Sequence, residues 1–148
     1  MIRWRFAPFA DLTAREVHDL YRLRADVFVV EQTCAFQDVD GADPASWHLL
    51  GCEGTELVAY SRLLPPGAKF PEASIGRVVT ARGVRGTGLG RELMREALRR
   101  AEGLWPGQPI RIGAQCYLER FYTGFGFAKA SDPYDEDGIQ HVEMLRKT

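Results

Sequence analysis

Apolar and polar residues alternate from Ile2 through Trp4 to Phe6, the two-residue period of an opening strand with one face turned inward. The period then lengthens. Thr13 and Glu16 stand at capping-box spacing, and Val17, Leu20, Tyr21, Val27 and Phe28 recur at helical intervals, which predicts a helix over 14–28. Between Glu31 and Trp47 the pattern lapses into Gln37-Asp38-Val39-Asp40-Gly41-Ala42-Asp43-Pro44, too polar for core and rich in turn residues, so a surface loop is expected. Residues 48–53 and 56–64, on either side of Gly54-Thr55, read as a hairpin that Pro65-Pro66-Gly67 terminates. A further strand is predicted over 74–80. After the turn 83–88, Leu89, Leu93, Met94, Ala97, Leu98 and Ala101 form the apolar stripe of a helix that stops near Gly103. A short buried strand over 109–115, a helix from Tyr117 to Gly124 or Gly126, and closing strands over 127–131 and 139–145 complete the chain, the last two joined by an acidic loop. Strands that mostly precede helices but also come in hairpins predict an α/β fold of the α+β kind, a mixed sheet with helices packed on it.

At 148 residues, 45% of them hydrophobic, the chain has the material for one core and no more, so a single domain over 1–148 is expected. Nineteen Lys and Arg against twenty Asp and Glu leave a net charge of -1, which offers no global field for nucleic acid. Any anion site must be local. Cys34, Cys52 and Cys116 fit neither a disulfide framework nor paired metal-ligand spacing, so no metal is expected and reduced thiols of a cytoplasmic protein are. The run Val27 to Val30 is far short of a membrane span, and no signal-peptide pattern precedes it. The sequence leaves monomer and homodimer open.

Chemistry concentrates after the strand Val78-Val79-Thr80, in Arg85-Gly86-Thr87-Gly88-Leu89-Gly90. Strand, glycine turn and helix start in that order aim free backbone N–H groups and the positive helix end at one point, a setting for phosphate. Arg82, Arg85 and Arg91 add charge, so a pyrophosphate is the natural guest. Two commoner motifs fail. Arg91 stands where the dinucleotide fingerprint needs glycine, and Leu89 where the Walker loop needs lysine.

This R-x-x-G-x-G turn, followed some thirty residues later by Phe121-Tyr122-Thr123-Gly124-Phe125-Gly126-Phe127, resembles the acyl-CoA signature of the GNAT superfamily of N-acetyltransferases. Leu23 to Gln32, Gln37-Asp38-Val39-Asp40-Gly41 and Asp137-Gly138-Ile139-Gln140-His141 are similar to its ElaA-like branch, so the likeness spans nearly the whole chain. It implies the acyl-CoA N-acyltransferase fold, a mostly antiparallel mixed sheet flanked by helices. It also implies transfer of an acetyl group from acetyl-CoA to a small-molecule or peptide amine by direct attack in a ternary complex. By the same likeness Val78, Val79 and Thr80 pair with the pantetheine arm, and the backbone from Arg85 to Gly90, with Arg91, holds the pyrophosphate. Gln115 stands where many relatives carry a cofactor-facing Asn. Tyr122 takes the place of the general acid, a phenol of pKa about 10 serving a thiolate whose conjugate thiol has pKa about 8.5.

The general base is less defined. An alkyl amine is mostly protonated at pH 7, a penalty of roughly 4.6 kcal/mol for presenting the neutral nucleophile. Relatives that carry a base on the strand before the glycine loop have it where this chain has Ser74 and Gly76, neither of which serves. Glu31, His48 and His141 are the candidates, each with a structural alternative. Glu31 could pair with Arg24, His48 could simply open a strand, and His141 could be a hydrogen-bonded strand residue. Gln32, Asp38, His48 and Asp137 are candidate acceptor contacts, because two acidic loops would attract a cationic amine unless they are only solvated turns. Cys116 raises an acyl-enzyme route that no neighbouring Cys/His pair supports. A noncatalytic acyl-CoA binding domain is the alternative class; it would need the glycine turn but not Tyr122.

Overall fold

The computed structural model describes residues 1–147. Strands β1 (Ile2–Pro8), β2 (Trp47–Glu53), β3 (Glu56–Leu64) and β4 (Ser74–Thr80) form an antiparallel sheet in that order. A second sheet joins β5 (Ile110–Gln115) to β8 (Ile139–Arg146), with β6 (Ala128–Lys129) and β7 (Tyr134–Glu136) also paired to β8. The two sheets meet through one parallel bridge between Ala73 and Ile110, which makes the whole arrangement mixed. In β1, Trp4 lies opposite Gly51, and a Cβ on Gly51 would sit 2.5 Å from the indole. The missing side chain makes room for the ring.

Helix α1 (Ala14–Arg24) starts with both halves of the Thr13/Glu16 capping box in place. It does not stop where the sequence pattern fades but runs on as a π-helical stretch over Ala25–Glu31, with Gln32 N–H donating to Val27 and Cys34 N–H to Val29. This wider winding suits a run of β-branched residues and is frequent at functional sites. Leu20, Leu23 and Val27 pack with Leu50, Tyr60 and Val79 on one face of the first sheet. Helix α2 (Leu89–Leu104) covers the other face, burying Leu89, Leu93, Met94, Ala97 and Ala101 against Leu49, Leu63, Ile112, Val142 and Met144. Full burial of such a side chain is worth about 1.5–3 kcal/mol, so this interlocking core ties the two sheets together. Helix α3 (Glu119–Thr123) is short and sets Tyr122 and Phe127 in the same core.

Two features depart from expectation. The acidic segment 132–138 is partly a hairpin: Glu136 pairs with Ile139 across Asp137 and Gly138, whose φ values of 53° and 83° are those of a two-residue turn twisted to match its strands. The segment 37–43 is not a free surface loop. Asp38 and Asp43 are buried, because three arginines brought from elsewhere in the chain neutralise them.

Candidate active site

Strands β4 and β5 run side by side only at one end, where Arg111 N–H donates to the Ala73 carbonyl at 2.9 Å. Beyond that point they belong to different sheets and part, opening a cleft of about 520 Å³ between Ser74–Thr80 and residues 112–115. The π-helical stretch lends Val27, Phe28, Glu31 and Gln32 to its wall, and the β7–β8 hairpin lends Glu136, Asp137 and His141. A thiol hydrogen bond from Cys34 to the Asp137 carbonyl, 3.1 Å, fastens that hairpin to the end of the helix. Cys34, rather than Cys116, is the cysteine in the cleft wall.

Within β4 the ladder slips. Tyr60 pairs with Val79 and Arg62 with Gly76, so Arg77 and Val78 together face Ser61 alone. This bulge leaves backbone groups of β4 outside the ladder beside the cleft. Arg77 adopts φ 50°, a left-handed conformation that costs a non-glycine residue about 1 kcal/mol or more and persists only where the surroundings enforce it. The enforcement is visible. Asp38 accepts from Arg77 Nε at 2.8 Å and from Arg24 Nε at 2.9 Å, and its carbonyl accepts from both guanidiniums. Arg24, fully buried, also donates to Asp43 at 2.8 Å, and Arg62 grips Asp40 with two bonds of 2.8 and 2.7 Å. Burial works to raise the Asp43 carboxyl, but Arg24 and Arg62 outweigh it and hold it below the ordinary range. Asp38 therefore acts inside an ion network behind β4 and does not line the cleft, which corrects its reading as an acceptor contact.

His48 needs the same correction. Fully buried, it lies between the Asp43 carbonyl, 2.9 Å from Nε2, and the Tyr60 hydroxyl, 2.6 Å from Nδ1. A carbonyl only accepts, so Nε2 carries the proton and Nδ1 receives the phenol's. Burial holds this imidazole below its ordinary pKa, as a neutral structural residue away from the cleft.

Glu31 is in the cleft wall but occupied. Its carboxylate receives both terminal nitrogens of Arg85, one at 2.6 Å, and lies 3.2 Å from Arg82 Nε. Hydrogen bonding from Arg85 is the main cause that keeps its pKa low, so it is a poor proton acceptor. Its pairing is with the glycine turn, not with Arg24. That turn has the conformation its glycines permit: Gly86 and Gly88 sit at φ 80° and 87°, and α2 begins at Gly88 with no side chain capping its first N–H groups. Buried Leu89 anchors the helix start, while Arg85, Gly86, Thr87, Gly88 and Arg91 are exposed and Gly90 is half-buried. Among these, Arg85 reaches the cleft wall.

Val78, Val79, Thr80, Gln115, Tyr122 and His141 all line the cleft. Gln115 pairs with His141 across β5 and β8 and donates to the Gln32 side chain at 3.3 Å, linking the helix end to the second sheet. Tyr122 is buried against Phe121 and Phe127; burial, with Tyr117 adding to it, raises the phenol well above its ordinary pKa. It is thus a neutral proton donor at any working pH. His141 stacks on Tyr134 with ring centres 5.9 Å apart, and its Nδ1 lies 2.7 Å from the Ile139 carbonyl. Nδ1 therefore bears the proton, which leaves the lone pair on Nε2, 3.4 Å from Glu136. A fixed tautomer with a carboxylate beside its basic nitrogen is suited to taking up a proton. The described residues contain no group of three or more His, Cys, Asp or Glu placed as metal ligands, and no helix long and apolar enough to cross a membrane.

The sequence profile of the acetyltransferase (GNAT) domain matches residues 29–148. The chain belongs to the GNAT acetyltransferase family. Within it, Protein ElaA of Escherichia coli is 40% identical over 149 residues, covering 99% of this chain and 97% of that one. Its crystal structure superimposes with a TM-score of 0.93, and that of an acyl-CoA N-acyltransferase from Pseudomonas aeruginosa with 0.94 at 41% identity, covering 99% of each chain. A more distant GNAT family acetyltransferase, from Elizabethkingia anophelis and solved with acetyl-CoA bound, shares the fold at 14% identity, 99% and 98% coverage and a TM-score of 0.70. The GNAT fold, with its mixed sheet, and the ElaA-like branch are thus those the sequence motifs pointed to.

Proposed function

We propose that this GNAT protein transfers an acetyl group from acetyl-CoA to an amine by direct attack in a ternary complex. The observation that carries the reading is the parted pair β4–β5, with unpaired backbone on a bulged β4 facing Tyr122 and His141 in one cleft. The residues present suit acyl-CoA. The edge of β4 offers hydrogen-bonding groups to the amides of an extended arm, and the uncapped N–H groups of α2 with Arg85 offer a site for its pyrophosphate.

In this reading His141 Nε2 takes the proton of the attacking ammonium and Glu136 stabilises the imidazolium that results. A freed N–H of the β4 bulge stabilises the negative charge that develops on the thioester oxygen as the N–C bond forms. Tyr122 donates its hydroxyl proton to sulfur as the C–S bond breaks and recovers, through water, the second proton that the nitrogen loses as the amide forms, while His141 releases the first to solvent. Supporting the assignment are the fixed tautomer of His141, the place of Tyr122 in the cleft wall and the family to which the chain belongs. Release of free thiol from acetyl-CoA against a panel of amines, amino acids and peptides tests it. Acceptor-dependent release supports the reading, whereas binding of CoA without transfer to any acceptor would reduce the protein to an acyl-CoA binding domain.

A further inference from the structure

The acceptor end of the cleft has a charge pattern that acetyl transfer alone does not use. Behind β4 the charges of Arg24, Arg62 and Arg77 are matched by Asp38, Asp40 and Asp43. The attraction for a cationic amine expected from that acidic segment is therefore largely cancelled. Two groups on the cation side keep hydrogen-bonding capacity that no partner uses. Lys69 has its ammonium 3.8 Å from the Cβ position that Gly113 leaves open and makes no ion pair among the described residues, while Asp40 is held by arginines and Glu136 lies beside His141. The buried Nε–H of Arg62 has no acceptor at all and lies 3.9 Å from the Cβ position that Gly76 leaves open. A buried guanidinium donor without a partner is costly, and native proteins seldom keep one that meets nothing.

Both residues line the main cleft and a second cavity of about 340 Å³ that shares wall residues with it, among them Phe36, Leu64, Glu136 and Asp137. Lys69, Arg62 and Arg77 thus stand on one side, where Asp40 is already engaged by two arginines, and Glu136 and Asp137 on the β7–β8 hairpin. Lys69 is open to solvent on one side, yet desolvation by the surrounding protein depresses its pKa; Glu136 opposes that effect, and Arg77 and Arg62 add to it.

We infer that the acceptor is a small amine that also carries a carboxylate, of the amino-acid class. Its carboxylate sits between Lys69 and the recess that Gly76 leaves above Arg62, and its amine points to His141, Glu136 and Asp137. The inference rests on the acetyl-transfer reading for which end reacts, but the carboxylate site is tested by binding alone.

The experiment is calorimetry on the protein saturated with CoA, which allows a ternary complex but no transfer. The probes are the common L-amino acids, together with the decarboxylated amines and the amides matching leucine, phenylalanine, glutamate and lysine. At least one amino acid is expected to bind tenfold or more tighter than its decarboxylated amine and its amide. Lys69→Gln should remove that preference, Lys69→Arg should keep most of it, and CoA affinity should stay within twofold in both. Equal or tighter binding of the decarboxylated amines, loss of acid and amine binding together in Lys69→Gln, or binding of no amino acid would each overturn the inference. If the transfer reading is what fails, carboxylate-dependent binding persists while thiol release is absent.

Discussion

Glu31 and His141, equal candidates for the base in the sequence, part company once their partners are known. Glu31, tied to Arg85 and Arg82, is an anion sitting where a more strongly charged one would sit. Glu31→Gln should therefore leave acetyl transfer within about threefold and tighten CoA binding severalfold, because it frees two guanidiniums for phosphate. A collapse of turnover with CoA affinity unchanged would restore Glu31 as the base. His141, with its tautomer fixed by the Ile139 carbonyl, presents the free nitrogen in the cleft that can accept the acceptor's proton. In His141→Gln turnover should fall about 10²-fold or more with CoA affinity unchanged, as stopped-flow thiol detection would show; a fall of less than about threefold would remove His141 as the base.

At the level of elements, the segment 36–43 and strand β4 behave as one part, since Asp38 holds the strained Arg77 in place from behind. Asp38→Ala leaves Arg24 buried with a lost partner and should destabilise the protein by about 3–5 kcal/mol in urea unfolding, far more than a solvated acidic turn would. A loss below about 1 kcal/mol would mean the network is ornamental. The helices and most strands were legible in the chain because their periods and caps are local: Thr13/Glu16, the Leu89-to-Ala101 stripe and the β2–β3 turn each carry their own signal. The ion network was not, because Arg24, Arg62 and Arg77 come from three elements and nothing near Asp38 or Asp43 announces them. Asp137-Gly138 was a readable hairpin signal hidden by the acidity of its neighbours. Among the site residues, the glycine turn and Tyr122 stood out through motif, whereas Lys69, Gly76 and Gly113 matter only for what they face across the cleft.

For the whole molecule, pH should act first through His48. The folded state keeps this imidazole neutral, so the unfolded chain binds the proton more readily. Its stabilising contribution is complete above the unfolded-state pKa of about 6.5 and is lost as pH falls towards the lower folded value, with a slope of up to about 1.4 kcal/mol per pH unit. Asp40 and Asp43, held below the carboxylate range by their arginines, contribute above about pH 4 and lose that contribution only at more acidic pH. Urea unfolding between pH 7.5 and 5.5 should thus show a slope that His48→Gln abolishes; an unchanged slope would place the titrating group elsewhere.

The account as a whole depends on the cleft being a site of acyl transfer, with Tyr122 serving the departing sulfur. The direct measurement is acceptor-dependent thiol release by Tyr122→Phe beside its CoA affinity. The phenyl ring keeps the packing against Phe121 and Phe127, so CoA binding should stay within about twofold while turnover falls about 10²-fold or more. A fall of less than about threefold, with the same acceptor and the same CoA affinity, would make Tyr122 a packing residue and contradict the account.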